Sequence, residues 1–175
     1  MSSALDWLPP VVSVDGEFAK VVSELYNFFH QGFIENKPKL DSMDVWHDRK
    51  VKLGETYEEV FWHLIEREWE YNNPGERTLD PRRAERLPWC SPVINHFEDK
   101  ATKYWICHEK GKYFCYVWLE EYDYIVILQK RTLKAKVING IELKERQVAF
   151  LMTAYYVDGE SKRRSFRRKY ERRIT

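Results

Sequence analysis

The sequence predicts an α+β domain in which N-terminal helices pack on a four-stranded antiparallel sheet and a C-terminal helix closes the chain. Three observations predict it. Apolar residues recur at helical spacing through the first half, the spacing changes to period 2 near residue 100, and a cationic helix follows residue 158. Helices first, then a run of strands joined by short turns, is the order of an α+β fold. At 175 residues the chain is long enough for one sizeable core and too short for two ordinary domains. We therefore divide it into an N-terminal arm, 1–15, and a single domain, 16–175.

The arm is broken by Pro9 and Pro10. From Glu17 to Phe33, Phe18, Val21, Val22, Leu25, Phe28 and Phe29 follow helical spacing, with Asp15 as the expected cap. Residues 36–55 read as an irregular connection with a short strand around Val45-Trp46. A second helix is expected over Thr56–Trp69: Thr56 and Glu59 have capping-box spacing, and Val60, Phe61, Leu64 and Ile65 form its apolar stripe. Tyr71-Asn-Asn-Pro-Gly75 is a loop by its turn residues. A third helix should start at Asp80, with Pro81 at its first position, and Pro88 and Pro92 should divide the stretch before Phe97 into two short helical pieces.

Strands are expected over 103–108, 113–119, 124–130 and 148–157. Gly111 and residues 120–123 supply two turns, and Asn139-Gly140 a third within the connection 134–147. Period 2 puts Thr153 and Tyr155 on one face of the last strand, with Ala154 and Tyr156 on the other. Asp158 is placed to cap the closing helix. The expected sheet would leave its second face, or its edge, open to a substrate.

Composition narrows the function. Aromatic residues are 15% of the chain, so Trp, Tyr and Phe must supply much of the core. The net charge of +1 hides an asymmetry: residues 1–70 hold fourteen acids against seven bases, while eight cations fall between Lys162 and Arg173. A pole so basic suits an anionic polymer, or it is a solvated helix balanced by the acidic half. Cys90, Cys107 and Cys115 have no CxxC spacing and read as buried thiols of a reducing compartment. The start of the chain has no signal-peptide pattern, and no uncharged run approaches membrane-spanning length, which predicts a cytoplasmic protein without a membrane partner. P-loop, GxGxxG and GxSxG motifs are absent, and the five histidines have no HxH or HxxxH arrangement, so no metal or cofactor is expected.

Among residues able to carry chemistry, His63 has the side chain whose ordinary pKa suits proton transfer near neutrality. On the expected helix Arg67 would share its face, one turn on. A base beside a phosphate clamp and a plain surface pair both fit that spacing. Arg82, Arg83 and Arg86 cluster at the third helix, where forked guanidinium groups suit phosphate oxygens and equally suit surface ion pairs. Arg83–Arg86 and Arg82–Arg86 are the two possible same-face pairs.

Taken in order, Phe61-Trp-His-Leu-Ile65, Asp80-Pro-Arg-Arg-Ala-Glu-Arg-Leu-Pro-Trp-Cys-Ser-Pro-Val-Ile94, Tyr116-Val-Trp-Leu-Glu-Glu-Tyr-Asp-Tyr-Ile-Val-Ile-Leu128 and Thr153-Ala-Tyr-Tyr-Val-Asp158 resemble one family. It is the phage-associated branch of the barnase/EndoU/colicin/RelE-like (BECR) ribonucleases, and the resemblance spans about residues 16–172. It implies N-terminal helices before a four-stranded antiparallel sheet, and metal-independent RNA cleavage by toxin-type nucleases of phage and mobile elements. It further implies that Thr153-Ala154-Tyr155 matches the family's Ser/Thr-x-aromatic signature, with His63 and Arg83 at its helical polar motifs. Glu66 and Glu68 around Arg67 depart from the pattern.

The resulting expectation is an endoribonuclease with His63, Arg83, Thr153, Tyr155 and Arg67 as its catalytic set. Arg82, Arg86, Lys130, Arg163, Arg164, Arg167 and Arg168 would hold RNA, and an antitoxin or immunity protein is a possible partner. The alternatives are a binding module that grips nucleic acid without cutting it, and an interaction protein whose basic tail docks on an acidic partner.

Overall fold

The computed structural model describes residues 4–174, so the first three residues of the arm lie outside the described residues. The arm is strapped to the domain. Trp7 stacks on His96 with centroids 4.3 Å apart and donates to Asp99, the Trp89 indole donates to the Pro9 carbonyl at 2.7 Å, and the Val12 amide donates to Glu85.

Helix α1 (Phe18–His30) buries Val21, Val22, Leu25 and Phe29, the stripe its spacing predicts, and ends in a π turn over Gln31–Glu35. Its N-cap is Glu17, without a side-chain cap bond; the Asp15 amide donates to Ser13 Oγ instead. Two short strands follow, β1 (Lys39–Leu40) and β2 (Met43–Trp46). Helix α2 spans only Glu59–Ile65, without the predicted Thr56 capping box, and hands over directly to strand β3 (Glu66–Arg67), which pairs with β4 (Thr78–Leu79). Helix α3 (Pro81–Ala84) starts where Asp80 accepts from the Arg82 and Arg83 amides at 3.0 and 3.4 Å. A 3₁₀ turn at Leu87–Trp89 and helix α4 (Cys90–Asn95) are the two expected short pieces.

The predicted four strands form: β5 (Lys103–Glu109), β6 (Lys112–Leu119), β7 (Tyr124–Leu133) and, after the hairpin β8 (Lys136–Ile138) and β9 (Ile141–Leu143), β10 (Arg146–Tyr156). The hairpin turns at Asn139 and Gly140, both at positive φ, as a two-residue turn between right-twisted strands requires. The sheet, however, has six strands in the order β1-β2-β10-β7-β6-β5, and it is mixed, because β2 joins β10 in parallel through Val45↔Ala149 and Trp46↔Phe150. A four-stranded antiparallel sheet is therefore incorrect. The short strand expected around Val45-Trp46 is β2, but so short a segment does not show which strand it will pair with, or in which direction.

The sheet is covered on both faces. Against the helical layer, Cys115, Val117, Leu119, Tyr124, Val126, Leu128, Ala149, Leu151 and Ala154 join Phe29, Phe61, Leu64 and Ile94 in the main core. On the opposite face helix α5 (Glu160–Glu171) packs Phe166 on Tyr116, Trp118 and Tyr155. Burying that phenylalanine stabilises the contact by about 1.5–3 kcal/mol. The second face is thus partly closed by the basic helix itself and is not left open. Gly159, at φ 90°, precedes α5, and Asp158 pairs with Arg82 at 3.7 Å rather than capping the helix. Cys90, Cys107 and Cys115 are buried free thiols. No helix of the described residues is long and apolar enough to cross a membrane.

Candidate phosphate-binding cleft

Strand β2 reaches only Ala149 and Phe150, so the outer edge of β10 beyond them is packed by α2 and α3 instead of a strand. Met152 is a β-bulge there, since Leu151 pairs with Leu128 and Thr153 with Ile127. Thr153 and Tyr155 then face the α5 side, while Ala154 fills the main core, as period 2 predicts.

Arg83 ties this region together. Its Nη1 donates to the carbonyls of His63 (3.2 Å) and Glu66 (3.0 Å), its Nε faces Asp80 at 3.6 Å, and its guanidinium lies 5.1 Å from the Tyr155 ring centre. Burial, opposed by Asp80, lowers the Arg83 pKa, and burial raises that of Tyr155 against the pull of Arg83. Tyr155 is consequently a neutral hydroxyl at physiological pH. Around the pair, Arg67, Glu68, Arg77, Asp80, Tyr156 and Lys162 complete a polar concavity of about 260 Å³. Arg77 donates to the Glu66 carbonyl at 2.6 Å, and its Nε is buried without a partner. Four cations face two acids, and Asp80 is committed to the α3 cap and to Arg67 at 3.7 Å. Forked guanidinium groups beside a phenol suit a phosphate group.

Three expectations need correction. Arg67 is on β3, not on the helix of His63, so the one-face pairing of these two residues does not exist; Arg67 reaches the cleft by a different route. His63 lines the next concavity along β10, of about 340 Å³, with Asp48, Glu59, Val60, Arg131, Phe150, Leu151 and Met152, and does not line the cleft of Arg83 and Tyr155. Its carbonyl accepts from Arg83, and both Arg77 and Arg83 act electrostatically on its imidazole. Burial, reinforced by nearby Arg77 and Lys52, holds the His63 imidazole below its ordinary pKa.

Lys130 stands on the helical-layer side of β7, in phase with Val126 and Leu128, and so faces away from Tyr155. Of the same-face alternatives at α3, Arg82 and Arg86 share the Tyr156 ring at 4.9 and 4.7 Å, leaving Arg83 for Tyr155. The α5 cations divide into two sets. Arg163 makes two bonds to Asp123 (2.5 and 2.8 Å), Arg167 bonds Glu120 and Glu160, and Lys169 bonds Glu109 and the Tyr116 hydroxyl. Arg164 and Arg168 are exposed. Sequence reasoning missed Arg77 and the counterion role of Asp80. The run Asp80-Pro-Arg-Arg signals a capped, cationic helix start, whereas nothing local marks Arg77. No group of three or more His, Cys, Asp or Glu side chains among the described residues is placed to hold a metal ion. Neither protein-family models, nor curated proteins, nor solved structures match this chain.

Proposed function

We propose that the chain is an endoribonuclease of toxin type that cuts RNA without a metal ion. One observation carries this reading: Arg67, Arg77, Arg83 and Lys162 surround Tyr155 and Tyr156 in a single polar cleft. In the reaction the 2′-oxygen bonds to the adjacent phosphorus as the bond from phosphorus to the 5′-oxygen breaks. The 2′-hydroxyl proton goes to a base and the leaving 5′-oxygen takes up a proton, giving a 2′,3′-cyclic phosphate and a 5′-hydroxyl. Arg83, with Arg67 and Arg77, stabilises charge developing on the phosphoryl oxygens. Neutral Tyr155 donates a hydrogen bond, and Thr153, two residues before it on the same face, offers a second hydroxyl.

His63, kept neutral by its lowered pKa, is the available base. Because His63 lines the concavity that also holds Met152, RNA would run along β10 across Met152 to meet both it and Arg83. Arg164 and Arg168 hold the backbone further out. An antitoxin or immunity protein with an acidic surface would compete for the same cations.

The absence of His63 from the lining of the Arg83–Tyr155 cleft favours one alternative, a module that grips nucleic acid without cleaving it. Incubation of the protein with RNA in EDTA, beside His63→Ala, decides between them. Cleavage by the parent with a loss of about 10²–10⁴-fold in the variant is expected of a proton-transfer residue. Binding without cleavage by the parent selects the binding module. Parental cleavage by a folded His63→Ala makes the histidine structural.

A further inference from the structure

The loop between β3 and β4 carries a ladder of planar groups leading out of the cleft. The Arg67 guanidinium lies 3.8 Å from the Trp69 ring centre, and Trp69 stacks on Tyr71 with centroids 5.7 Å apart and planes 17° from parallel. Tyr71, at 79% exposure, ends the ladder in solvent. The loop is braced by its own bonds. The Gly75 amide donates to the Glu68 carboxylate at 2.9 Å, the Asn72 amide to the Trp69 carbonyl at 3.0 Å, and the Glu76 amide to the Asn73 carbonyl at 2.9 Å. A rigid aromatic is held, uncovered, at the end of a stack whose first member lines a cationic cleft.

We propose that Trp69 and Tyr71 form a stacking platform for an unpaired nucleobase of single-stranded RNA, next to the phosphate held by Arg67, Arg77 and Arg83. The proposal rests on the cleft being a phosphodiester site. A base presents its flat face to an aromatic ring only when it is out of a duplex, so the platform selects single strands and tolerates any sequence. The neighbouring cations decide in favour of a polyanion over an apolar partner. Stacking of this kind corresponds to roughly 5–150-fold in affinity per base, and a single, solvent-exposed Tyr71 belongs at about tenfold.

The test uses the full chain and a labelled 2′-O-methyl single-stranded oligoribonucleotide, which cannot undergo the cleavage step, read by fluorescence anisotropy. Tyr71→Ala should weaken binding about tenfold while Tyr71→Phe retains it, because the ring and not the hydroxyl is used. An oligonucleotide of abasic residues should bind as weakly to the parent as to Tyr71→Ala, and a duplex should be insensitive to the substitution. Parental affinity in Tyr71→Ala, beside a clear loss in Arg83→Gln, overturns the platform and leaves the cleft reading standing. Parental affinity in both variants, or no binding by the parent at low salt, overturns the two together.

Discussion

Replacing Asp80 by asparagine should make the protein less stable and a better RNA binder at once. Asp80 is 5% exposed, and its two oxygens do different work. Oδ1 accepts from the Arg82 and Arg83 amides, and Oδ2 neutralises Arg67 and Arg83 at 3.7 and 3.6 Å. An asparagine oxygen keeps the first role, since Asn caps helices as well as Asp. Its amide then turns N–H donors toward two guanidinium groups that have lost their counterion. Breaking a fully buried ion pair costs about 3–5 kcal/mol. The Arg67 and Arg83 side chains are 29% and 17% exposed, so water recovers part of that loss and we expect about 2 kcal/mol. For a domain of this size that is a fall of roughly 4–8 °C in Tm.

The cleft meanwhile gains one net positive charge. If it holds phosphate, one more guanidinium is free to displace a counterion, and the log–log salt slope for single-stranded RNA should steepen by about 0.7. Thermal denaturation followed by circular dichroism, and anisotropy titrations across a salt series, measure the two quantities. A folded Asp80→Asn protein that binds RNA more weakly than the parent, or with an unchanged slope, would refute this assignment of the cleft.

Other outcomes rest on the same geometry. Arg164→Ala with Arg168→Ala should flatten the salt slope by about 1.4 and leave the unfolding midpoint in place. Arg163→Ala with Arg167→Ala should lower the midpoint, because these two are bonded to Asp123, Glu120 and Glu160; the reverse pattern would exchange the two sets. Burial lowers the pKa of both His47 and His63. Below about pH 6.5 the unfolded chain binds protons that the folded chain refuses, so stability falls as pH drops through that value toward the folded pKa values. Each histidine contributes at most ~1.4 kcal/mol per pH unit. Urea unfolding on the two sides of this window should show the loss, and His63→Gln should reduce it; a pH-independent midpoint would mean that both rings protonate freely in the fold.

The long strands were legible because β6, β7 and β10 carry long runs rich in aromatic and β-branched residues, with turn residues between β6 and β7, as strands buried on both faces do. The short β2 was expected around Val45-Trp46, but β1 and the parallel pairing of β2 with β10 were not legible, being set by what lies beside them. The end of α2 is the clearest limit. Phe61-Trp-His-Leu-Ile-Glu-Arg-Glu-Trp69 continues a helical pattern, so nothing local stops the helix at Ile65. A longer helix would use the carbonyls of His63, Ile65 and Glu66 for amides four residues on. In the fold, Arg83 takes the first and third, and the Asp80 amide takes the second at 2.8 Å. A segment some fifteen residues downstream therefore ends the helix and moves Arg67 off the His63 face. Pairing of Arg83 with Tyr155 was visible as two separate motifs, and their meeting was expected. The role of Arg77 and the counterion role of Asp80 arise only through contacts that no spacing encodes.

Met152 gives β10 two rival alignments with β7. In the one adopted it stands outside the count, so Leu151 and Ala154 both point at the helices and Tyr155 points away. Absorbing it into the ladder would advance every later residue by one place. Thr153 would then be driven into the space that Ala154 fills opposite Val126, Ala154 would take the seat beside Arg83, and Tyr155 would move to the helical face opposite Tyr124. The choice between these alignments is made by volume and polarity: a slot sized for a methyl group, 1% exposed, refuses the larger, hydroxyl-bearing side chain of threonine. The small side chain at position 154 thus acts as a gauge that keeps Tyr155 on the face beside Arg83. Loss of Met152 itself would leave that sidedness intact, while enlarging Ala154 would penalise the adopted alignment, in which residue 154 fills the tight slot.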